Sequence, residues 1–345
     1  MIFETIIFAF IAIGIAIYYN KCWLCEIKYY IIGFIYHLHD IFSIRHNKIE
    51  LLSKPNKIAI VTGGSRGIGM EVVKKLLQCD MEVIIACRTI NTGENLILEM
   101  RKSGITSGRA KVYKLDNTSL KSVREFATKI KADYDKIHIL INNAGIMFPS
   151  KYNKTEDGYE EQWTVNYLSH FLLTSLLLPL LKVGGNPGEC SRIVNVTSCA
   201  HDISTIDFDY IINCSEKTFC KHASYGQSKL AQTMFTIILQ RLLNEKSLNI
   251  LVYAVHPGIV RTDLFKNTLI GNNKWMMAAW KTPDKGATPI VYATVSTDIE
   301  TKGGIYISNC RELAVPSLAL DKEIQKQLFE LSLKQVHLEN FFQYL

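Results

Sequence analysis

Tyr225 and Lys229, in the segment SYGQSKLAQ (224–232), have the residue types and the spacing that acid/base chemistry requires. They are four positions apart, so on a helix both side chains lie on one face, one turn apart. A free phenol has a pKa of about 10, and an adjacent ammonium favours the phenolate and moves that pKa towards neutrality. The pair is therefore either a general acid/base or an ordinary helix-surface contact worth roughly a few tenths of a kcal/mol. The rest of the chain decides between the two.

A glycine-rich turn, TGGSRGIG (62–69), follows an apolar run and precedes a helical pattern. Glycines permit a tight turn and let backbone N–H groups approach a pyrophosphate at the positive end of a helix. The order of strand, glycine turn and helix therefore predicts a dinucleotide site. Its candidate residues are Gly63, Ser65, Arg66, Gly67, Ile68 and Gly69.

The residue after the second predicted strand distinguishes the two nicotinamide cofactors. An acidic residue there binds the ribose hydroxyl of NAD, whereas an arginine accommodates the 2′-phosphate of NADP. The sequence reads ACRT (86–89), with Arg88 and no carboxylate, and Arg66 can reach the same phosphate. These residues favour NADP(H). NAD(H) is the alternative, and two solvated surface arginines are the ordinary interpretation.

Apolar, β-branched runs alternate with helical patterns from Lys57 onwards, which sets the fold that must position these residues. Continuous apolar strands separated by helices predict a parallel sheet covered on both faces. We expect an α/β, doubly wound Rossmann fold with a parallel sheet of about seven strands over residues 51–310. A helical C-terminal tail is expected over residues 311–345. The predicted strands are KIAIV (57–61), EVIIA (82–86), AKVYKLD (110–116), IHILINNAG (137–145), RIVNVTS (192–198), NILVYAVHPG (249–258) and GGIYI (303–307).

Five motifs occur along the chain in a fixed order: TGGSRGIG, NNAG (142–145), the serine that ends NVTS, YGQSK and the HPG turn. With these motifs, residues 57–310 resemble the short-chain dehydrogenase/reductase family. The resemblance implies that Tyr225 exchanges a proton with the substrate oxygen, and that Lys229 lowers the pKa of Tyr225 and holds the nicotinamide ribose. It implies that Ser198 hydrogen-bonds the substrate oxygen and that Asn166 completes a water-linked proton relay behind Lys229. The further cofactor contacts that it implies are Asp116, Asn143, Ala144, Gly145, Pro257, Gly258, Val260 and Thr262.

Within that family, the segments IIACRT, LINNAGIMF and AVHPGIVRTDLF are similar to the retinol-dehydrogenase-like branch of membrane-bound lipid alcohol enzymes. Within that branch, a narrower similarity is carried by SYGQSKLAQTMFTIILQRLL (224–243) and KTPDKGA (281–287). That similarity implies an NAD(P)-dependent oxidoreductase of long-chain isoprenoid alcohols and aldehydes, which oxidises polyprenol to polyprenal and reduces dolichal to dolichol. Retinol and retinal are the alternative substrate pair. A catalytically silent, membrane-tethered scaffold on the same fold is the alternative of another class. The presence of Asn166, Ser198, Tyr225 and Lys229 argues against the scaffold.

The first 50 residues differ in composition from the rest of the chain. IIFAFIAIGIAIYY (6–19) carries no charge, and YYIIGFIYHLHDIF (29–42) is aromatic and apolar but interrupted by polar residues. The first segment predicts a retained membrane anchor and the second a helix that lies at the membrane surface. Positive charges follow the anchor, so the positive-inside bias places the main domain on the cytosolic side. We expect the endoplasmic reticulum membrane, with the lipid droplet as the alternative.

The net charge of +7 is spread along the chain without a long run of like charges, which gives no indication of nucleic-acid binding. The nine cysteines are an odd number and indicate free thiols in a reducing compartment. Cys22 and Cys25 form a CxxC motif without a second pair, so no metal site is expected. The sequence leaves an oligomer possible.

The segment 264–282, between the HPG turn and Pro283, is rich in large apolar residues and has three lysines but no acidic residue. It predicts either a packed core helix or a lipid-facing lid through which the substrate head enters. Trp275, Met276 and Met277 are the candidate lid residues.

Overall fold

The computed structural model of the chain describes residues 21–266, 268 and 280–345. The predicted anchor (6–19) and the candidate lid residues 275–277 lie outside the described residues. The strands are β1 (Ile58–Thr62), β2 (Glu82–Cys87), β3 (Arg109–Lys114), β4 (Ile139–Asn142), β5 (Ser191–Val196), β6 (Ile250–His256), β7 (Ile305–Ser308) and β8 (Arg311–Leu313). The helices are α1 (Lys21–Ser43), α2 (Gly67–Gln78), α3 (Ile90–Lys102), α4 (Leu120–Asp133), α5 (Glu161–Gly184), α6 (Phe208–Asn213), α7 (Lys221–Glu245), α8 (Pro283–Val295) and α9 (Lys322–Gln335).

The strands form one sheet in the order β3-β2-β1-β4-β5-β6-β7-β8. The first seven strands pair in parallel, which confirms the predicted doubly wound fold. The eighth strand was not predicted, and it pairs antiparallel with β7. Asn309 and Cys310 connect them with φ angles of 50° and 58°, the left-handed conformation that closes a two-residue hairpin. A strand of three residues is too short to show a hydrophobic period in the sequence.

The sheet is buried because each central strand supplies alternate side chains to two apolar cores. Ile60 of β1 faces the core formed with α4, α5, α7 and α9, and Ala59 and Val61 face the core formed with α2, α3 and α8. This double burial is why the strands are continuous apolar runs in the sequence. Phe341, beyond α9, is 1% exposed, so the C-terminal segment also packs into the first core.

Helix α5 passes through the centre of that first core. Among the described residues it is the helix long and apolar enough to cross a membrane, but 94% of its apolar window is buried inside the protein. Its apolar surface is therefore explained by core packing. The turn Thr164–Leu168 within it is π-helical, and such turns are frequent at functional sites.

Helix α1 packs against the turn Cys199–Ile203 and against α7, and polar side chains hold it there. Asp40 is 4% exposed; its Oδ1 lies 2.8 Å from Nζ of Lys281, and its Oδ2 accepts a hydrogen bond of 2.9 Å from the backbone N–H of Ile259. Tyr36 donates a hydrogen bond of 2.6 Å to Asp202. The polar interruptions of this apolar segment thus attach the helix to the α/β domain.

Candidate active site

The carboxyl ends of the parallel strands open into one cavity of about 860 Å³. Ligands of open α/β sheets bind at this edge. The structure brings to this cavity every residue that the sequence predicted to contact the cofactor, together with Ser198. The lining includes Gly63, Ser65, Arg66, Gly67, Ile68, Gly69, Arg88, Asp116, Asn143, Ala144, Gly145, Tyr225, Lys229, Pro257, Gly258, Val260 and Thr262.

The glycine turn after β1 has a shape that side chains would block. Gly63 and Gly67 have φ angles of +64° and +57°, which favour glycine. A Cβ on Gly69 would lie 2.6 Å from Nδ2 of Asn143 and would collide with the carbonyl oxygen of Gly63. The close approach of α2 to β1 therefore requires glycine at position 69. The cradle has the form that a dinucleotide pyrophosphate needs at a helix N-terminus.

Thr62 connects the glycine turn to the NNAG segment. Its Oγ1 accepts hydrogen bonds of 2.9 Å from the backbone N–H groups of both Asn143 and Ala144. Asn143 in turn donates a hydrogen bond of 2.8 Å to the carbonyl oxygen of Thr62. The two walls of the cradle are thus fixed relative to each other before any ligand binds.

Arg66 and Arg88 line the same cavity, and both side chains are exposed. Arg88 directly follows β2, and no acidic residue stands there. Asp116 also lines the cavity; its Oδ1 accepts hydrogen bonds from the backbone N–H and the hydroxyl of Thr118. A 2′-phosphate at the Arg88 end of the cavity would meet positive charge.

The catalytic candidates Tyr225 and Lys229 lie one turn apart on α7, and each is 5% exposed. Nζ of Lys229 is 5.8 Å from the centroid of the Tyr225 ring. It donates hydrogen bonds of 2.8 Å to the carbonyl oxygen of Val196 and to Oε1 of Gln232. Ser198, two residues beyond β5, lies within hydrogen-bonding reach of Tyr225. The phenol and the hydroxyl can thus share one substrate oxygen.

The expectation that Lys229 lowers the pKa of Tyr225 stays a prediction, and burial acts on that pKa in the opposite direction. Burial raises the pKa of Tyr225, and the hydrogen bond with Ser198 offsets this only in part. Burial also lowers the pKa of Lys229 to about 7. Desolvation dominates because it penalises the charged form of both groups, and the ammonium is directed at Val196 and Gln232. At neutral pH the phenol therefore keeps its proton.

Asn166 lies in the π-helical turn, behind the cavity wall. Its Oδ1 accepts a hydrogen bond of 2.9 Å from the N–H of Ile146, and its Nδ2 donates to Ser228, the neighbour of Lys229. A Cβ on Gly145 would lie 3.3 Å from Oδ1 of Asn166 and 3.8 Å from Nζ of Lys229. Asn166 and Lys229 thus flank Gly145, as a relay between them would require. The relay itself stays a prediction.

Four residues at the catalytic end of the cavity were missed in the sequence: Tyr29, Phe148, His222 and His256. Burial lowers the pKa of His222 to about 4 and that of His256 to about 3, so both imidazoles are neutral at pH 7. His222 precedes Tyr225 by three positions, and this spacing on one helical face was the available signal. Tyr29 had no local signal, because only the docking of α1 brings it to the site.

Comparison with known proteins gives one consistent family. The short chain dehydrogenase family profile matches residues 57–272. Human polyprenol dehydrogenase is 37% identical over 288 residues, 81% of this chain and 84% of the relative. The zebrafish (Danio rerio) polyprenol dehydrogenase is 35% identical over 92% of this chain and 98% of its own. Mouse retinol dehydrogenase 12 is 36% identical over 81% of this chain and 85% of its own.

Solved structures share the fold. An uncharacterized protein from Mycobacterium paratuberculosis superposes with a TM-score of 0.68, at 28% identity, over 84% of this chain and 97% of its own. The NADP active-site complex of Pseudomonas aeruginosa RhlG superposes with a TM-score of 0.58, at 24% identity, over 75% of this chain and 96% of its own.

Proposed function

The chain belongs to the short-chain dehydrogenase family and is a nicotinamide-dependent oxidoreductase that acts on CH–OH groups, and we propose that it interconverts long-chain isoprenoid alcohols and aldehydes. The observation that best supports this proposal is the apolar and aromatic lining of the cavity beside Tyr225. Helix α1 forms one wall of the cavity there. The polyprenol dehydrogenases match over most of both chains. Retinol and retinal are the second candidate pair, because a retinol dehydrogenase matches nearly as well.

In the proposed reaction, each group of cavity residues has a separate role. The glycine turn would hold the cofactor pyrophosphate, Asp116 the adenine, and Lys229 the ribose. A nicotinamide cofactor supplies or accepts the hydride. In aldehyde reduction, Tyr225 donates the proton at its Oη to the carbonyl oxygen. In alcohol oxidation, Tyr225 must first have lost that proton, and its phenolate then takes the proton of the alcohol. Ser198 positions that oxygen.

The substrate class is tested with purified full-length protein in lipid vesicles. The substrates are polyprenol, dolichal, retinol, retinal and a steroid ketone, each with NADP(H) and with NAD(H). Conversion of the isoprenoid pair with the higher kcat/KM supports the proposal. Preferred conversion of retinal selects the second candidate, and conversion of the steroid alone overturns both.

We propose that Arg88 gives the protein its preference for NADP(H). Charge-assisted bonds to phosphate are worth roughly 1.5–3 kcal/mol, so Arg88→Asp should weaken NADPH binding by about 10- to 100-fold. NADH affinity should be nearly unchanged, and fluorescence titration measures both. Lys102→Asp is the matched control. Lys102 is an exposed cation at the far end of α3, the helix that begins just after Arg88. Equal affinities in the wild type and no change in Arg88→Asp would contradict the preference.

The outer face of α1 supports a membrane position for the catalytic domain. Large apolar side chains at helical spacing are exposed along one face of α1, with Phe34 63% and Phe42 78% exposed. The inner face carries the polar residues that attach the helix to the domain, such as Asp40. Such reversed polarity suits a helix that lies in the membrane interface. We propose that this membrane is that of the endoplasmic reticulum and that the catalytic domain lies on its cytosolic side. The exposed residues are Ile31, Phe34, Ile35, Leu38, Ile41 and Phe42.

A photo-crosslinking phenylalanine analogue at position 42 should label phospholipid when the full chain is reconstituted in vesicles. The reason is that the Phe42 side chain points away from the domain on the apolar face of α1. The same analogue in place of Leu98, a 57% exposed residue of α3, is the matched control and should label little lipid. Mass spectrometry of the adducts measures both. Equal labelling at the two positions would show that α1 does not define the membrane face.

A further inference from the structure

Helix α1 contacts the α/β domain along its inner face, and a glycine lies in the middle of that face. Tyr29, Gly33, Tyr36 and Asp40 follow one another at spacings of four, three and four residues, so they lie on one side of the helix. The Tyr29 ring packs against that of Tyr225, at 6.3 Å between centroids. Tyr36 and Asp40 are attached to the domain by a hydrogen bond and by an ion pair. Gly33 therefore lies between points at which the helix is held.

The inner face of α1 has a gap at Gly33. A Cβ built on Gly33 would lie within 4 Å of no other heavy atom of the described residues. One turn earlier the helix is packed tightly, because a Cβ on Gly226 of α7 would collide with Oη of Tyr29. The gap is therefore local, and it lies directly beside a close contact between α1 and the catalytic helix.

Neither packing nor backbone geometry requires a glycine at position 33. Gly33 lies inside a helix and has no positive φ angle, so a side chain would not strain its backbone. Glycine inside a helix also destabilises it relative to alanine. A residue that lowers stability without serving the fold is typical of a functional position. The glycine therefore indicates that the space beneath it is used.

The space beneath Gly33 belongs to the same cavity as Tyr225. Four residues of α1 line the cavity along one edge of the helix: Gly33, His37, Tyr30 and Phe34. At about 100° per residue, they follow one another in this order around the helix, from the inner face to the outer face. Phe34 is 63% exposed and belongs to the apolar outer face. The cavity thus extends from Tyr225 around one edge of α1 to the proposed membrane face.

Apolar side chains line the cavity on the side of the HPG turn as well. Leu264 and Phe265 pack, like Tyr29, against the cluster that includes Tyr225. Phe265 also packs against Trp280, with ring centroids 4.6 Å apart, and all three side chains line the cavity. An apolar chain in the cavity is therefore removed from water, which favours its burial there.

A long isoprenoid chain cannot lie wholly in a cavity of about 860 Å³ that also holds a dinucleotide, so its tail needs an exit. We propose that Gly33 keeps this exit open as a passage beneath α1, and that the size of residue 33 determines how long a tail the protein accepts. The reacting end of the substrate lies at Tyr225, while the tail runs past Gly33 and Phe34 into the membrane. The proposal rests on the proposed function and on the membrane position of α1, and it adds the route of the tail and the residue that controls this route.

The test compares kcat/KM for dolichal and for citronellal, which has the same saturated reacting end and a short tail, in the same vesicles with NADPH. Gly33→Phe should lower the ratio of dolichal to citronellal by about 10- to 100-fold, the usual discrimination by the size of an apolar pocket. The loss should increase with the size of the new side chain, from Gly33→Ala through Gly33→Leu to Gly33→Phe. Ile35→Phe is the matched control, since it places the same ring on the outer face, where Ile35 is 51% exposed. It should leave the ratio unchanged.

Failure of the passage and failure of the proposed function give different results. An equal loss for both aldehydes in Gly33→Phe, or the same loss of ratio in Ile35→Phe, overturns the passage while the isoprenoid function stands. A wild type that converts neither aldehyde overturns the proposed function and the passage with it. Displacement of α1 by the new ring appears as a lowered melting temperature of Gly33→Phe. His37→Trp then decides, because it narrows the same edge of the cavity and leaves the glycine in place; an unchanged ratio in that variant overturns the passage.

Discussion

Replacing Tyr225 by phenylalanine is expected to lower kcat/KM by about 10²- to 10⁴-fold, the usual contribution of a positioned acid/base. The change removes the hydroxyl that carries the proton and leaves the ring that packs 5.4 Å from Phe148. Lys229 keeps its bonds to Val196 and Gln232, because neither involves the phenol. Cofactor affinity and melting temperature should therefore stay near those of the wild type. Aldehyde reduction under initial-rate conditions, fluorescence titration and thermal unfolding measure the three quantities.

Tyr210→Phe is the matched control for that substitution. Tyr210 is a tyrosine on the neighbouring helix α6, and its hydroxyl lies 2.8 Å from Oγ of Ser224 and accepts a hydrogen bond from the N–H of Cys220. Its loss should affect stability and leave catalysis intact. If Tyr225→Phe retained more than a tenth of the wild-type activity, another group would have to protonate the substrate. A wild type inactive on every alcohol and carbonyl tested would instead favour the silent scaffold.

The fold was predictable because most of its strands and helices have a hydrophobic pattern that can be recognised in the sequence. Continuous apolar runs such as EVIIA and NILVYAVHPG could only be buried on both faces, and they are the central strands β2 and β6. The glycine turn fixed the position of the cofactor edge. Strand β8 was not predicted, because three residues are too few to show a hydrophobic pattern. Its hairpin also depends on the left-handed φ angles of Asn309 and Cys310.

The clustering of the candidate site residues around one cavity was predictable, but the burial that shifts their pKa values was not. Motif order led to Tyr225, Lys229 and Ser198, and the structure places all three on one cavity. The direction of the two pKa shifts depends on burial, which arises from α1 and from the loop at Phe148 packing over α7. Neither contact is local in sequence. A spacing rule therefore locates an acid/base pair without revealing which protonation state the fold prefers.

Asp40 was the least predictable of the structurally important residues. In the sequence it is one carboxylate in an aromatic and apolar stretch, where it only interrupts a predicted membrane-surface helix. In the structure it makes a buried ion pair with Lys281 and accepts hydrogen bonds from Ile259 and Asn309. A charge in an apolar segment needs a partner, and the partner lies far along the chain.

Asp40→Ala is expected to lower the free energy of unfolding by ~3–5 kcal/mol, because it leaves the ammonium of Lys281 buried without its partner. Lys281 is 6% exposed, so water cannot replace the carboxylate. Chemical denaturation in detergent micelles measures the change. Glu312→Ala is the matched control, since the Lys302–Glu312 pair is 60% and 51% exposed and such pairs are worth about 0–1 kcal/mol. Equal effects of the two substitutions would show that the ion pair does not attach α1.

The pH dependence of stability is a second test of the ion pair between Asp40 and Lys281. Burial raises the pKa of Asp40, but the ammonium of Lys281 and the hydrogen bonds to the carboxylate together outweigh burial, so the pKa lies below its ordinary value. A carboxyl whose folded pKa is lowered contributes stability above its unfolded pKa of about 3.9, and this is lost as the pH falls through the folded value. The difference in stability between wild type and Asp40→Asn should therefore be full at pH 7 and shrink below about pH 4. Asp40 also accepts a hydrogen bond from the backbone N–H of Ile259, which directly follows the HPG turn that lines the cavity. Cofactor affinity should therefore fall together with stability in Asp40→Asn.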